Sequence, residues 1–424
     1  MLSKINIKSE FFKSVLILSS GTVLAQLVSL IAIPIVSRYF GPEENAYLGL
    51  FLKVSTLCAT LYTARLELVF PSERNINYAF GIYQFAFRLC LFLCLFTFSV
   101  IAIYALFSSK PLEEKIFLLS IPFGIFVISL FNLGNSWDLR AENFKGISKA
   151  SLLLSIFSNL FKIGGGIFTG HFLVLIFSTI LGYLLASVTF LRQFLDQFNN
   201  RVLKHNSKRT KVLIKRNKNF YTYNLYHVIL DLSRDMILAS FFWIYFSKEN
   251  FGSYEFSLRM MKLPIIIIAT SMSQVFYRKA QDFISQDNQL RKLTFKTLFY
   301  SILIAILPFG IIYFFGSELF SFVFGGEWKE SGKIASFLSP WLFITFIFTP
   351  ISFLPIILNK QKEYFKLNIL FLPMILILII LIPYFHLDFY QSIILLTIFQ
   401  GTFIVMCLSW FLYLIKSNRI IEIS

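Results

Sequence analysis

The sequence predicts an all-α integral membrane protein of about twelve transmembrane helices, arranged as two six-helix bundles around a central cavity. Three observations carry that reading. The 424 residues are 57% hydrophobic and 14% charged, with a mean hydropathy of +0.72, whereas soluble domains sit nearer half apolar and a quarter charged. Apolar spans near the length that crosses a bilayer, about 20 residues, recur with short connectors along the whole chain. Basic residues segregate between alternate connectors. Together these exclude a soluble enzyme and an ordinary nucleic-acid-binding protein, and they leave no room for a sizeable extramembrane domain.

The first apolar run, 12 to 37, follows a charged amphipathic opening from Met1 to Lys13. It is too long for a signal-peptide core and has no small-residue cleavage site, so the first helix is expected to stay in the mature protein. Further spans lie near 46 to 70, 79 to 107, 115 to 136, 148 to 169 and 171 to 191, the last two separated only by Thr169, Gly170 and His171. The polar stretch RQFLDQFNNRVLKHNSKRTKVLIKRNKN at 192 to 219 divides the chain. Six more spans follow near 220 to 245, 251 to 277, 293 to 315, 333 to 357, 366 to 385 and 391 to 415. The expected organisation is an N-terminal bundle (1–191), a basic cytoplasmic linker (192–219) and a C-terminal bundle (220–424). Six is even, so both bundles enter the membrane from the same side and any internal repeat is parallel. FGPEENAYLGLF at 40 to 51 and FSKENFGSYEFSL at 246 to 258 occupy corresponding places.

Charge gives the orientation. Lys and Arg total 39 against 22 Asp and Glu, a formal balance of +17. On the side opposite the N-terminus the connectors carry only Arg38, Lys110, Lys115, Lys248, Lys329 and Lys333, and all other connector cations fall on the N-terminal side. Cytoplasmic loops hold the excess, so both termini are expected in the cytoplasm. The central basic stretch reads as an anchor beside anionic headgroups rather than as a nucleic-acid patch. Cys58, Cys90, Cys94 and Cys407 lie inside apolar runs without metal-ligand spacing and read as small buried hydrophobes.

Eight cations remain inside the spans: Lys53, Arg65, Arg88, Lys162, Arg234, Arg259, Lys262 and Lys296, with Glu67, Asp231, Asp235 and Glu255 as the acids beside them. An ionised side chain at the centre of a lipid-facing helix costs about 2.5 to 3.5 kcal/mol or more. These groups are therefore expected to face protein or a water-filled cavity, except those near span ends that snorkel. Lys53, Thr56, Thr60, Thr63 and Glu67 share one stripe of helix two, which implies water on that side. Asn224, His227, Asp231, Arg234 and Asp235 share a face of helix seven, and Glu255, Arg259 and Lys262 share one of helix eight just before Pro264. Ser19, Thr22, Gln26 and Ser29 form a neutral stripe on helix one. Asp231 with Arg234 and Glu255 with Arg259 fit structural intrahelical pairs equally well. His227 reads either as a hydrogen-bonded core residue or as a proton relay. Lys53, Arg88 and Lys162, with no acid three or four residues away, and Lys262 beyond its neighbour Arg259, are the stronger candidates for holding an anion, to which guanidinium offers bidentate geometry and ammonium a point charge.

The motifs together resemble a known family. GTVLAQLVSLIAIPIVSRYFGPEENAYLGLF at 21 to 51, RLELVFP at 65 to 71, NSWDLRAENFKGIS at 135 to 148, YEFSLRMMKLPIIIIATSMSQVF at 254 to 276 and FGGEWKESGKIASFLSPWLF at 324 to 343, followed by NKQKEYFK, occur in this order along the chain. The chain resembles the O-antigen type polysaccharide flippases, a branch of the superfamily that also contains multidrug exporters and lipid-linked oligosaccharide flippases. Glu44, Asn45 and Ala46 depart from the Gly-containing turn usual there. The resemblance implies two bundles forming a V around a vestibule in a bacterial inner membrane. It also implies export of undecaprenyl-pyrophosphate-linked oligosaccharide, with a glycan polymerase of the same pathway and membrane lipids as partners.

On this reading the protein is a transporter without covalent chemistry or a cofactor. Lys53, Arg88, Lys162, Arg259 and Lys262 hold the pyrophosphate and sugar. Asp231, Asp235, Glu255 and His227 are candidates for coupling to a proton or sodium gradient. One rival is a multidrug antiporter of the same architecture, whose cavity should favour acids because its substrates are cationic. The other is a membrane-embedded glycan polymerase or ligase, which would need catalytic groups in a long outward loop; the longest outward connection expected here, near Gly316 to Gly332, offers no clear acid/base constellation.

Overall fold

The computed structural model describes residues 21–69, 75–199, 218–283, 287–358 and 360–417, with side chains described outside 191–199, 218–227, 287 and 417. Twelve helices follow the expected order. They are α1 (Gly21–Val36), α2 (Pro42–Tyr62), α3 (Ile76–Phe107), α4 (Leu112–Arg140), α5 (Phe144–Phe168), α6 (Phe172–Asn199) and α7 (Lys218–Tyr245). Then come α8 (Lys248–Gln281), α9 (Asp287–Phe324), α10 (Gly326–Ile357), α11 (Gln361–Tyr384) and α12 (Phe389–Ser417). Among the described residues, 9 helices have the length and apolar composition to cross a membrane, and no strand occurs. The protein is an all-α multi-pass membrane protein. Thr169, Gly170 and His171 do make the whole α5–α6 turn.

Two compact units, Met1–Ala239 and Ser240–Ser424, meet inside α7. Residues 200–217 of the expected linker lie outside the described residues.

In the first unit α4 is central, packing on α2, α3 and α6, while α5 lies along α6. Lipid offers no hydrophobic drive between helices, so close approach and polar contacts must hold them. At Gly182 of α6 a Cβ would press on Ser158 of α5, so the small residues let those helices meet. The α1–α5 seam is polar: Ser155 Oγ donates to the Ala25 carbonyl at 2.7 Å, lies 2.7 Å from Ser29 Oγ, and Asn159 Nδ2 donates to Ser29 Oγ at 3.3 Å. The neutral stripe of α1 thus joins two helices at Ser29.

In the second unit α10 is central, flanked by α8, α9 and α12. Ser336 Oγ and Ser339 Oγ donate at 2.8 Å to the Ile312 and Phe309 carbonyls of α9, and Ser257 Oγ donates to the Ser331 carbonyl at 2.6 Å. At Gly316 and Gly332 the α9 and α10 backbones touch, leaving no room for a Cβ on either. Helix α9 kinks at Phe315 (φ −124°, ψ 21°) and runs on to Phe324. The α9–α10 connection is therefore short, not the longer one expected from Gly316 to Gly332. Burial explains the extension, since Phe320 and Phe324 pack on Phe256 with ring centroids 6.3 and 5.0 Å away.

Candidate substrate-binding site

Helix α2 ends in a corner. Ala64 and Arg65 both adopt left-handed backbone (φ 49° and 58°), a conformation costly to side chains with a Cβ. The chain then forms a short turn at Leu66–Leu68. Leu66 and Val69 pack against Ile82 and Ala86 of α3 and Leu133 of α4. That packing buries Glu67 to 4% exposure. Arg65 Nη1 stands 3.5 Å from Glu67 Oε1. Thr60 and Thr63 are buried too, with hydroxyls donating at 2.9 and 3.1 Å to the Thr56 and Ala59 carbonyls of their own helix. The Glu67 end of the stripe is therefore covered by protein, which corrects the expectation of water along all of it. Thr56 and Lys53, toward the start of α2, are half-buried.

The other two candidate cations of this unit sit on separate helices. Lys162 is half-buried on α5. It continues the face of Ser155 and Asn159 that meets α1, one turn short of Gly166, where α5 lies against Tyr39 and Phe40. Arg88 is exposed on α3, between Phe85 and Phe92 at helical spacing, both also exposed. Its side chain faces out of the unit.

On α7, Arg234 Nη2 donates to Asp231 Oδ1 at 2.6 Å, with Asp231 the more exposed partner. Of the two readings open for this pair, the intrahelical one is realised. Asp235 is exposed. His227 lies outside the described side chains.

In the second unit the candidates share one stretch of α8. Glu255 is buried and acts electrostatically on Arg259 one turn later. The Arg259 guanidinium also stands 5.7 Å from the Phe256 ring, a cation–π contact worth roughly 0.5 to 2 kcal/mol. Lys262, half-buried, lies three residues on, within neighbouring distance on a helix surface. Immediately after it the helix changes. Pro264 has no N–H to give the Met260 carbonyl, and Ile265–Ala269 form a π-helical turn, a feature that often marks functional sites. Thr270 and Ser271 hydroxyls donate back to the Ile266 and Ile267 carbonyls. Arg259 and Lys262 thus stand beside a break in regular helix. Lys296 is an outward group on α9, 5.9 Å from the Tyr300 ring.

One buried acid lies beyond the expected span, which stopped at 136. Asp138 is 1% exposed. Asn143 Nδ2 donates to its Oδ2 at 2.7 Å, and Asn143 Oδ1 accepts from the Gly146 N–H at 3.2 Å, while Glu142 turns through φ 55°. Asp138 braces the α4–α5 turn. The spacing Asp-x4-Asn-x2-Gly inside NSWDLRAENFKGIS was the available signal. Cys90, Cys94 and Cys407 are buried and Cys58 half-buried, all as free thiols. Among the described residues no cluster of His, Cys, Asp and Glu could hold a metal ion.

No curated protein matches the chain. Among solved structures it is similar to the lipid II flippase MurJ in an inward closed conformation, at 15% identity and TM-score 0.70 over 95% of this chain and 90% of that one. It is also similar to an inward-facing multidrug resistance MATE family transporter of the MOP superfamily, at 14% identity and TM-score 0.67 over 93% and 96%. A MOP superfamily transporter from Pyrococcus furiosus, described by the reverse polarity of its binding pocket, matches at 15% identity and TM-score 0.56 over 96% and 97%. At such identities the likeness shows the fold, which is that of these membrane transporters. Residues 35–333 match the family described as polysaccharide biosynthesis protein, and with well over half its length in that match the chain belongs to that family.

Proposed function

We propose that the protein is a flippase that moves an undecaprenyl-pyrophosphate-linked oligosaccharide, of the O-antigen repeat type, from the cytoplasmic to the periplasmic leaflet of a bacterial inner membrane. One observation carries the reading: a chain of the polysaccharide biosynthesis family has the fold of transporters, one of which is named a lipid II flippase. Both termini face the cytoplasm, following the segregation of Lys and Arg between alternate connectors.

In this reading Lys53, Arg88, Lys162, Arg259 and Lys262 meet the pyrophosphate and sugar while the prenyl chain stays in lipid. Charge-assisted contacts to phosphate oxygens are the strong ones available to such side chains. Arg88 is exposed beside outward-facing Phe85 and Phe92, which suits first contact with a headgroup. Arg259 and Lys262 lie at the break in α8, where a change of backbone hydrogen bonding needs few bonds broken. Alternating access then presents the cations to each leaflet in turn. Gradient coupling is placed at Glu255, the buried acid acting on Arg259. An excess of basic over acidic groups in the spans favours an anionic cargo over the cationic cargo of a multidrug antiporter.

A deletion strain tests the reading. It should lack surface glycan and accumulate lipid-linked oligosaccharide accessible only from the cytoplasmic side. Accumulation on the outer face would show a step after translocation and refute the flippase. Transport in vesicles that is indifferent to collapse of both proton and sodium gradients would remove the coupling role of Glu255.

A further inference from the structure

A crevice of about 130 Å³ enters the first unit between α3, α4 and α6, lined by Tyr83, Leu130, Trp137, Leu184, Val188 and Phe190 with Gly134 and Ser187 in its wall. Its surface is almost wholly apolar. The hydroxyl that α6 contributes to the lining, Ser187 Oγ, donates to the Tyr183 carbonyl of its own helix at 2.7 Å, so Ser187 presents only a small side chain. At Gly134 a Cβ would strike the Phe190 ring, and the glycine is what lets that ring lie across α4.

Position and depth identify what fits. Leu184 and Val188 at the mouth are 41% and 54% exposed, and with Phe177 and Leu181 they form an outward apolar stripe on α6. Arg140, at the end of α4, holds its guanidinium 5.7 Å from the Trp137 ring. The α4 residues that line the crevice, Leu130 to Trp137, span seven residues, roughly 10 Å at the helical rise, within the roughly 15 Å of hydrocarbon in one leaflet, and Arg140 lies just beyond them. The crevice therefore fits within the depth of one leaflet, with Arg140 at the end that adjoins the α4–α5 turn. Its rim is cationic and its interior aromatic and aliphatic. A polyprenyl chain would overrun it several-fold, whereas the headgroup-proximal part of a fatty acyl chain matches its depth.

We propose that this crevice is a binding site for one acyl chain of an anionic glycerophospholipid, with the lipid phosphate at Arg140. The test uses the full-length protein in vesicles of phosphatidylethanolamine doped with phosphatidylglycerol carrying a diazirine at mid-chain, followed by peptide mapping. Label should concentrate on peptides containing Leu130–Trp137 and Leu184–Phe190. Ser187→Trp, filling the crevice, and Val188→Trp, narrowing its exposed mouth, should each lower that label about tenfold. Ser187→Ala should leave it unchanged. Arg140→Gln should erase the preference for phosphatidylglycerol over a phosphatidylethanolamine probe with the same chain. Label spread evenly along the α6 stripe and unaffected by Val188→Trp would overturn the site. Displacement of the label by a polyprenyl phosphate at equimolar level, but not by unlabelled phosphatidylglycerol, would overturn the assigned occupant.

Discussion

The ring of Phe256 stacks on the indole of Trp328, centroids 3.8 Å apart and planes 29° from parallel. Arg259 stands 5.7 Å from the same Phe256 ring. Trp328 is fully buried in the first turn of α10. A candidate substrate cation on α8 is thereby tied, through one aromatic ring, to the end of the second unit where α9 meets α10.

Trp328→Ala should accordingly do two things. Loss of a buried Trp costs about 3 to 5 kcal/mol, read as a lower unfolding temperature of purified protein. Surface glycan, normalised to protein level, should fall as the Phe256 ring beside Arg259 loses the indole that positions it. Trp328→Phe keeps a stacking partner and should recover most of the glycan. Full glycan in Trp328→Ala would separate Arg259 from transport.

The contact of α9 with α10 makes a sharper stability prediction. Gly332→Ala would drive a Cβ into the Gly316 carbonyl of the facing backbone, and overpacking costs about 1 to 3 kcal/mol. Gly401 of α12 has open space where its Cβ would be, so Gly401→Ala should be neutral or stabilising by up to about 1 kcal/mol from helix propensity. Thermal unfolding of both variants in one detergent checks the contrast.

Asp138 should act through the α4–α5 turn. Asp138→Ala strips Asn143 of its buried acceptor, costing about 1 to 3 kcal/mol, whereas Asp138→Asn keeps an oxygen facing Asn143 Nδ2 and should cost less. If both variants unfold at the wild-type temperature, the brace is not structural.

The number and order of helices were legible because hydropathy over a bilayer's thickness is what a membrane selects. Helix ends were less so. A hydropathy window ends with the apolar slab, but α4 runs on to Arg140 and α9 to Phe324, where packing and turn chemistry stop them. Periodicity grouped residues into stripes correctly, yet it names a shared face and not what that face touches. Ser29 spends its hydroxyl on α5, and Glu67 is covered because a left-handed corner folds its turn onto α3 and α4. The corner itself had no signal: Ala64 and Arg65 are not residues that announce positive φ. The clustering of Glu255, Arg259 and Lys262 was readable because all three lie on one helix. The outward placement of Arg88 depended on how α3 packs on α4 and was not.

The central claim is that cations set in these spans bind the anionic headgroup being moved. The most direct measurement is leaflet exchange of a fluorescent polyprenyl-pyrophosphate oligosaccharide in vesicles containing the purified protein. Arg88→Ala and Lys262→Ala should each slow exchange about tenfold or more, as expected for losing a charged hydrogen bond of about 1.5 to 3 kcal/mol, with unfolding temperature unchanged. Exchange at the wild-type rate in both variants would contradict the account.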